Sequence, residues 1–270
     1  MENTHYELAC IGCGNMGAAI MRGVVGSGLV APADLVVTSA TPSTQERLAS
    51  ELGCAGSCDN RAAVRGARVV VLGVKPQQLP AVVADFAADL ADDALVVSIA
   101  AGVTLAQLEE MLGGAHRKIV RAMPNLPAMV GEGMTSLSPN AAVSADELAR
   151  VVQLFESCGK VEVVPERLID AVIAAAGSSP AYVCMFIEAL ADAAVAEGMP
   201  RPQAYTFAEQ AVLGTAAYLL KTGAHPAQLK DMVCSPGGTT IEAVASLEAG
   251  GMRTAVIEAA RAAAARNRTM

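Results

Sequence analysis

At 270 residues and 53 % hydrophobic side chains, the chain has the apolar content for one large domain or two modest ones. Nineteen Lys and Arg against 27 Asp and Glu leave a net charge of −8 without a basic patch, which argues against nucleic acid or an anionic membrane as partner. Aromatics are only 3 % of the chain, so its apolar content is largely Ala and Val, which suits closely packed helices.

The opening Met1-Glu2-Asn3-Thr4-His5 is polar and does not resemble a secretion signal, which implies a cytoplasmic protein. Leu8–Ile11, Leu35–Val37, Val69–Leu72, Leu95–Ile99 and Lys118–Val120 are short apolar runs expected as strands, the second ending near Thr38. Between them, Met16–Ser27, Thr44–Leu52, Pro80–Leu90 and Leu105–Leu112 carry helical patterns. Apolar strands alternating with helices predict an α/β fold, a parallel sheet covered on both faces.

After about Pro165 no strand is expected, and Ala-rich helical patterns run to the end of the chain. Residues 1–164 therefore read as an α/β nucleotide-binding domain and residues 165–270 as an all-helical domain, to which the family resemblance described below adds substrate binding and dimerisation. The most apolar stretch, Ala171 to Ile187, is interrupted by Gly177-Ser178-Ser179-Pro180, which predicts a buried helix pair and no membrane span. Seven cysteines (10, 13, 54, 58, 158, 184 and 234) are an odd, scattered set, expected as reduced and mostly buried thiols. Cys10 and Cys13 spell C-x-x-C, but neither that pair nor Cys54 and Cys58 has a nearby His, so no metal is expected.

The chemistry begins at Gly12-Cys13-Gly14-Asn15-Met16-Gly17, directly after the strand ending at Ile11 and directly before a helix. The spacing G-x-G-x-x-G allows a tight turn, close approach of backbone to a pyrophosphate, and close helix–strand packing. Ile11 to Gly17 are thus candidate cofactor contacts in a Rossmann-type domain. An NAD-selective site places an acid at the end of the second strand, yet Leu35 to Gln45 contains none and is rich in Ser and Thr. That predicts NADP(H) in preference to NAD(H), with Arg47 as a further source of positive charge. Val74, Lys75 and Pro76 close one strand and Ala100 and Ala101 another, at the ends where parallel sheets bind ligands.

At the far end, Ser235-Pro236-Gly237-Gly238-Thr239-Thr240 leads into a helical pattern from Ile241. A glycine-loosened turn offering N–H groups and hydroxyls at a helix start suits a carboxylate. A plain threonine N-cap is the simpler account of the same residues.

Several motifs then agree. Arg121-Ala122-Met123-Pro124-Asn125-Leu126-Pro127, Gly177-Ser178-Ser179-Pro180-Ala181-Tyr182 with Glu188, Ala189 and Asp192, Gln228-Leu229-Lys230-Asp231 and the 235–240 loop follow one another in order. Together with Leu247-Glu248-Ala249-Gly250-Gly251 and Arg253, they resemble the pyrroline-5-carboxylate reductases from about residue 8 to 268. The chain departs from that pattern at Leu126, where the family usually has Thr, and around Ala176 and Ser179. The resemblance implies NAD(P)H-dependent reduction of 1-pyrroline-5-carboxylate to L-proline, the last step of proline biosynthesis. It places Ser39 and Asn60 at the adenosine end of the cofactor, and Val74, Lys75, Pro76, Ala100 and Ala101 along its middle. It assigns Ser235, Gly238, Thr239 and Thr240 to the substrate, with Thr240 aimed at the ring nitrogen. It further implies a homodimer through the helical domain, possible assembly to a decamer, and an active site between subunits.

The three histidines, His5, His116 and His225, lie outside these motifs, which fits an electrophilic imine that needs no strong general acid. A β-hydroxyacid dehydrogenase shares the layout but needs a helix-borne Lys, and residues 171–220 contain none. A reductase of another cyclic imino acid remains open, as does a non-catalytic dinucleotide sensor. The few charges on the helices between Ile169 and Leu220 imply an obligate interface.

Overall fold

The computed structural model describes residues 5–269; the polar opening Met1–Thr4 lies outside the described residues. The described chain packs as two compact units, Ser178–Ala263 in one and residues 5–177 with 264–269 in the other. The last strand ends at residue 163. The packing divides later because a short helical passage after residue 165 still belongs with the sheet.

The first unit is built from β1 (Leu8–Ile11), α1 (Asn15–Gly26), β2 (Leu35–Thr38), α2 (Pro42–Leu52), β3 (Ala55–Ser57), α3 (Asn60–Val64) and β4 (Val69–Leu72). It continues with α4 (Leu79–Phe86), β5 (Leu95–Ser98), α5 (Leu105–Leu112), β6 (Lys118–Met123), β7 (Gly133–Pro139), α6 (Ala145–Glu156) and β8 (Gly159–Val163). The eight strands form one sheet in the order β3-β2-β1-β4-β5-β6-β7-β8. All pairings are parallel except β6 with β7, so the sheet is mixed rather than wholly parallel.

Successive residues of a strand face opposite sides, and β1 divides accordingly. Leu8 and Cys10 join one core with Ile20, Met21, Leu48 and Phe155 of α1, α2 and α6. Ala9 and Ile11 join the other with Val64, Phe86 and Leu108 of α3, α4 and α5. Both faces are therefore covered, as buried parallel strands require.

Helix ends follow local chemistry. Thr104 with Gln107 and Ser144 with Glu147 form capping boxes that start α5 and α6. Strands β3, β7 and β8 and helices α3 and α6 were not among the expected elements. The unforeseen strands carry Gly, Ser, Lys and Glu rather than apolar runs, because two of them are the sheet's edges.

From residue 166 a 3₁₀ turn, α7 (Ile169–Val172) and a π-helical turn at Ile173–Gly177 lead directly toward α8 (Ser179–Ala196). Gly177-Ser178-Ser179-Pro180 thus marks a change of helical pitch instead of the expected break between two buried helices. The second unit holds α8, α9 (Arg201–Thr222), α10 (Pro226–Val233), α11 (Thr239–Ala249) and most of α12 (Met252–Asn267). Alpha helices 8 and 9 pack on each other, yet only Ala191, Ala204 and Ala208 are fully buried in this unit. Phe207, at 66 % exposed, and Leu213, at 57 %, are among many large apolar side chains left in the open. The passage Glu166–Ala196 is also long and apolar enough, by length and composition, to cross a membrane.

Candidate active site

The sheet's strand order reverses at β1, which has β2 on one side and β4 on the other. Open sheets bind ligands in the crevice at such a switch point, at the carboxyl ends of the strands. Gly12 follows β1 there and Gly73-Val74 follows β4, with the Gly73 N–H donating to the Ile11 carbonyl at 2.8 Å. Gly12 has φ +69°, and a Cβ on it would lie 2.1 Å from Val74 Cγ1, so no side chain fits. A Cβ on Gly17 would come within 3.0 Å of Cys10 Sγ, which explains the third glycine as a packing requirement of α1 on β1.

Gly14 is the N-cap of α1, without a side-chain cap and with no acid in the first turn. A Cβ on Gly14 would meet nothing within 4 Å. Open helical N–H groups, a positive dipole end and free space over the loop together fit a dinucleotide pyrophosphate. Ile11 and Cys13 turn their side chains into the core, so only their backbone faces the loop. Cys13 N–H donates to the Thr38 carbonyl at 2.7 Å.

The other expected cofactor residues follow strands of the same sheet at their carboxyl ends. Ser39 follows β2, and its hydroxyl accepts the Thr41 N–H at 3.3 Å. Asn60 opens α3 just after β3 and accepts a hydrogen bond from Thr38 at 2.8 Å. Thr38 itself is buried, with its hydroxyl engaged by the Gly12 N–H and Asn60, so it is not free to meet a 2′-phosphate. Exposed Lys75 precedes the 3₁₀ turn Pro76–Gln78, while Ala100 and Ala101 follow β5, Ala100 donating its N–H to Ser98 Oγ. Arg47 on α2 is exposed and pairs with Glu51, which also holds Arg22.

Of the seven cysteines only Cys10, Cys13 and Cys158 are buried, fewer than expected, because Cys58 and Cys184 sit on open surfaces. A hydrogen bond with Cys13, followed by burial, holds the Cys10 thiol well above its usual pKa, and burial pushes Cys54 up to about 11. Both keep their protons at neutral pH.

Asn125, within the Arg121–Pro127 motif, ties down the π-helical turn. Its amide donates to the Ala176 carbonyl at 3.0 Å and accepts the Met134 N–H at 2.8 Å. Single π turns leave backbone groups that need such partners and often sit at functional sites. Leu126, next in the chain, is exposed.

In the second unit, α11 begins at Thr239 with Gly238 as N-cap and no side-chain cap. The plain threonine cap on a helix from Ile241 is therefore not what forms. Gly237 has φ +65°, and the Gly238 N–H closes a turn onto the Ser235 carbonyl at 3.0 Å. A Cβ on Gly238 would fall 2.3 Å from Ser235 Oγ, which brings the Ser235 hydroxyl close over the helix start. The hydroxyls of Ser235, Thr239 and Thr240 have no hydrogen-bond partner among the described residues. Thr240 also lines a cleft of about 740 Å³ with Phe186, Thr215, Tyr218 and Lys230.

Comparisons with known proteins agree with this layout. The family model described as pyrroline-5-carboxylate reductase dimerisation matches residues 166–270, and one described as NADP oxidoreductase, coenzyme F420-dependent, matches residues 7–102. A pyrroline-5-carboxylate reductase of Escherichia coli is 51 % identical over 253 residues, covering 94 % of each chain. Among solved structures, the reductase of Coxiella burnetii superposes with a TM-score of 0.92 at 36 % identity, covering 99 % of this chain and 98 % of the other. A Plasmodium falciparum pyrroline carboxylate reductase with NADP bound gives 0.87 at 30 % identity, covering 98 % of both. With relatives alike over nearly its whole length, the chain belongs to the pyrroline-5-carboxylate reductase family.

Proposed function

We propose that the Ser235–Thr240 loop holds 1-pyrroline-5-carboxylate while the first unit holds the reduced dinucleotide, so that the chain forms L-proline in the last step of proline biosynthesis. The observation carrying this is the open start of α11, with three hydroxyls that no described residue engages. Backbone N–H groups of the loop, with Ser235 and Thr239, bind the carboxylate. The Thr240 hydroxyl hydrogen-bonds the ring nitrogen and keeps the protonated imine in place. When bound, the dinucleotide supplies the hydride. As the imine carbon gains it, the C=N electron pair moves onto the nitrogen, which with its proton becomes the secondary amine of proline. Because the protonated imine is already electrophilic, positioning supplies most of the catalysis and no histidine is required.

NADPH is the preferred reductant. In support, no carboxylate follows β2 to repel a 2′-phosphate, and Ser39 is available there. The cofactor-binding set is Ile11 to Gly17, Ser39, Asn60, Val74, Lys75, Pro76, Ala100 and Ala101. The exposed apolar faces of α8 and α9 support a homodimer through the helical unit, in which the partner chain rather than a membrane covers them. The enzyme works in the cytoplasm. Rapid consumption of NADPH with pyrroline-5-carboxylate, against a blank without it, is the expected result. Absence of consumption by folded protein, or a higher rate with a six-membered imino acid, overturns the substrate assignment.

A further inference from the structure

Thr38 closes β2 and is 1 % exposed, yet its polar groups serve three neighbours on two segments of the first unit. Its hydroxyl accepts the Gly12 N–H at 3.0 Å and donates to Asn60 Oδ1 at 2.8 Å, while its carbonyl accepts the Cys13 N–H at 2.7 Å. We infer that Thr38 is a positioning residue for the adenosine end of the cofactor, gripping the glycine loop and turning the Asn60 amide so that its NH₂ faces outward. The inference rests on the reading of Gly12–Gly17 and Asn60 as cofactor contacts.

The polarity of the chain of bonds follows from the donor count. A threonine hydroxyl has one proton, and the Gly12 N–H already occupies an acceptor position. If Asn60 turned its NH₂ toward Thr38, the hydroxyl would accept twice and leave its own proton idle in a buried site, which is costly. The favoured order is therefore Gly12 N–H to Thr38 O–H to Asn60 C=O. Asn60 Nδ2 has no partner among the described residues and is left to donate to a ligand. A valine at position 38 would keep the shape, release the amide and strip the Gly12 N–H of its acceptor.

The test uses the full chain and isothermal titration with NADPH and with 2′,5′-ADP, a fragment carrying only the adenosine end. Thr38→Val is expected to weaken both by about tenfold, with KM for pyrroline-5-carboxylate unchanged and Thr38→Ser restoring affinity to within about threefold. Asn60→Asp keeps the acceptor for Thr38 and replaces the outward donor with an anionic oxygen, so it is expected to weaken 2′,5′-ADP by at least as much, through lost donation and repulsion of the phosphates; if Thr38→Val does not fold, Thr38→Ala takes its place with the same expected loss. Wild-type affinity in Thr38→Val with a loss in Asn60→Asp overturns the positioning role and leaves the site reading intact. A loss in Thr38→Val without one in Asn60→Asp shows that Thr38 does not act through Asn60 and also overturns it. No loss in either variant overturns the site reading itself.

Discussion

Glu166 Oε1 accepts the Arg121 guanidinium at 2.8 Å and the Leu105 backbone N–H at 2.7 Å, so one carboxylate oxygen ties β6 to the start of α5. Arg121 is 5 % exposed, and its charge has no other carboxylate among the described ion pairs. Removing a partner from a buried pair strands the remaining charge. Glu166→Ala is expected to lower stability by about 2 kcal/mol, a figure reduced because Glu166 itself is part-exposed. Chemical denaturation checks this, and an unchanged midpoint would show that solvent compensates Arg121.

Thr240→Ala removes the hydroxyl proposed to hold the imine nitrogen and leaves a helix start that has no side-chain cap to lose. The expected outcome is a fall in kcat of roughly tenfold or more with an unchanged melting temperature, since removing one positioned group costs on that scale. Steady-state kinetics with near wild-type turnover would deny Thr240 a chemical role.

Gly12 and Gly14 separate folding from cofactor binding. Gly12→Ala meets Val74 and an unfavourable φ, and is expected to destabilise the protein. Gly14 has φ −91° and open space, so Gly14→Ala is expected to leave stability unchanged while raising KM for NADPH by about tenfold through its methyl group. Equal thermal losses in the two variants would refute this division.

Glu147 has its carboxyl lowered to about 2, first by Lys118 at 2.6 Å and then by the Ser144 N–H and hydroxyl. A depressed carboxyl stabilises the fold above its ordinary value of 4.5, and that stabilisation is lost as pH falls from there toward about 2. Glu147→Gln retains a capping-box side chain and removes the charge, so a deficit of about 1 kcal/mol is expected at neutral pH. Urea unfolding across the acid range is expected to show the two proteins converging, and a constant gap would assign the loss to the cap.

Phe207→Asp with Leu213→Asp places two charges on the open face of α9. If partner chains cover that face, light scattering is expected to show loss of the wild-type assembly. An unchanged assembly would put the interface elsewhere.

Legibility in the sequence tracked burial. The expected strand Val69–Leu72 and helix Leu105–Leu112 appear with those bounds, because each carries a continuous or periodic apolar signal. The edge strand Gly159–Val163 was not legible, since Lys160 and Glu162 alternate with valines on a part-exposed surface. The glycine loop could be located by spacing, and so could the 235–240 turn. Thr38 could not be singled out among the hydroxyls of Thr38 to Thr44, because its hydrogen bonds join segments that only the sheet order brings together. Nor could the π turn at Ile173–Gly177, whose Ala-rich residues favour an ordinary helix equally well.

Asp170 accepts hydrogen bonds from Asn267 and Arg268, so the last turn of α12 is fastened to the first unit near the point where the chain leaves it. The helical unit is thus an insertion held at both ends, not a tail. A single cut by a protease within residues 178–263 would leave each fragment still joined covalently to a piece of the sheet unit. Freeing the helical unit takes two cuts.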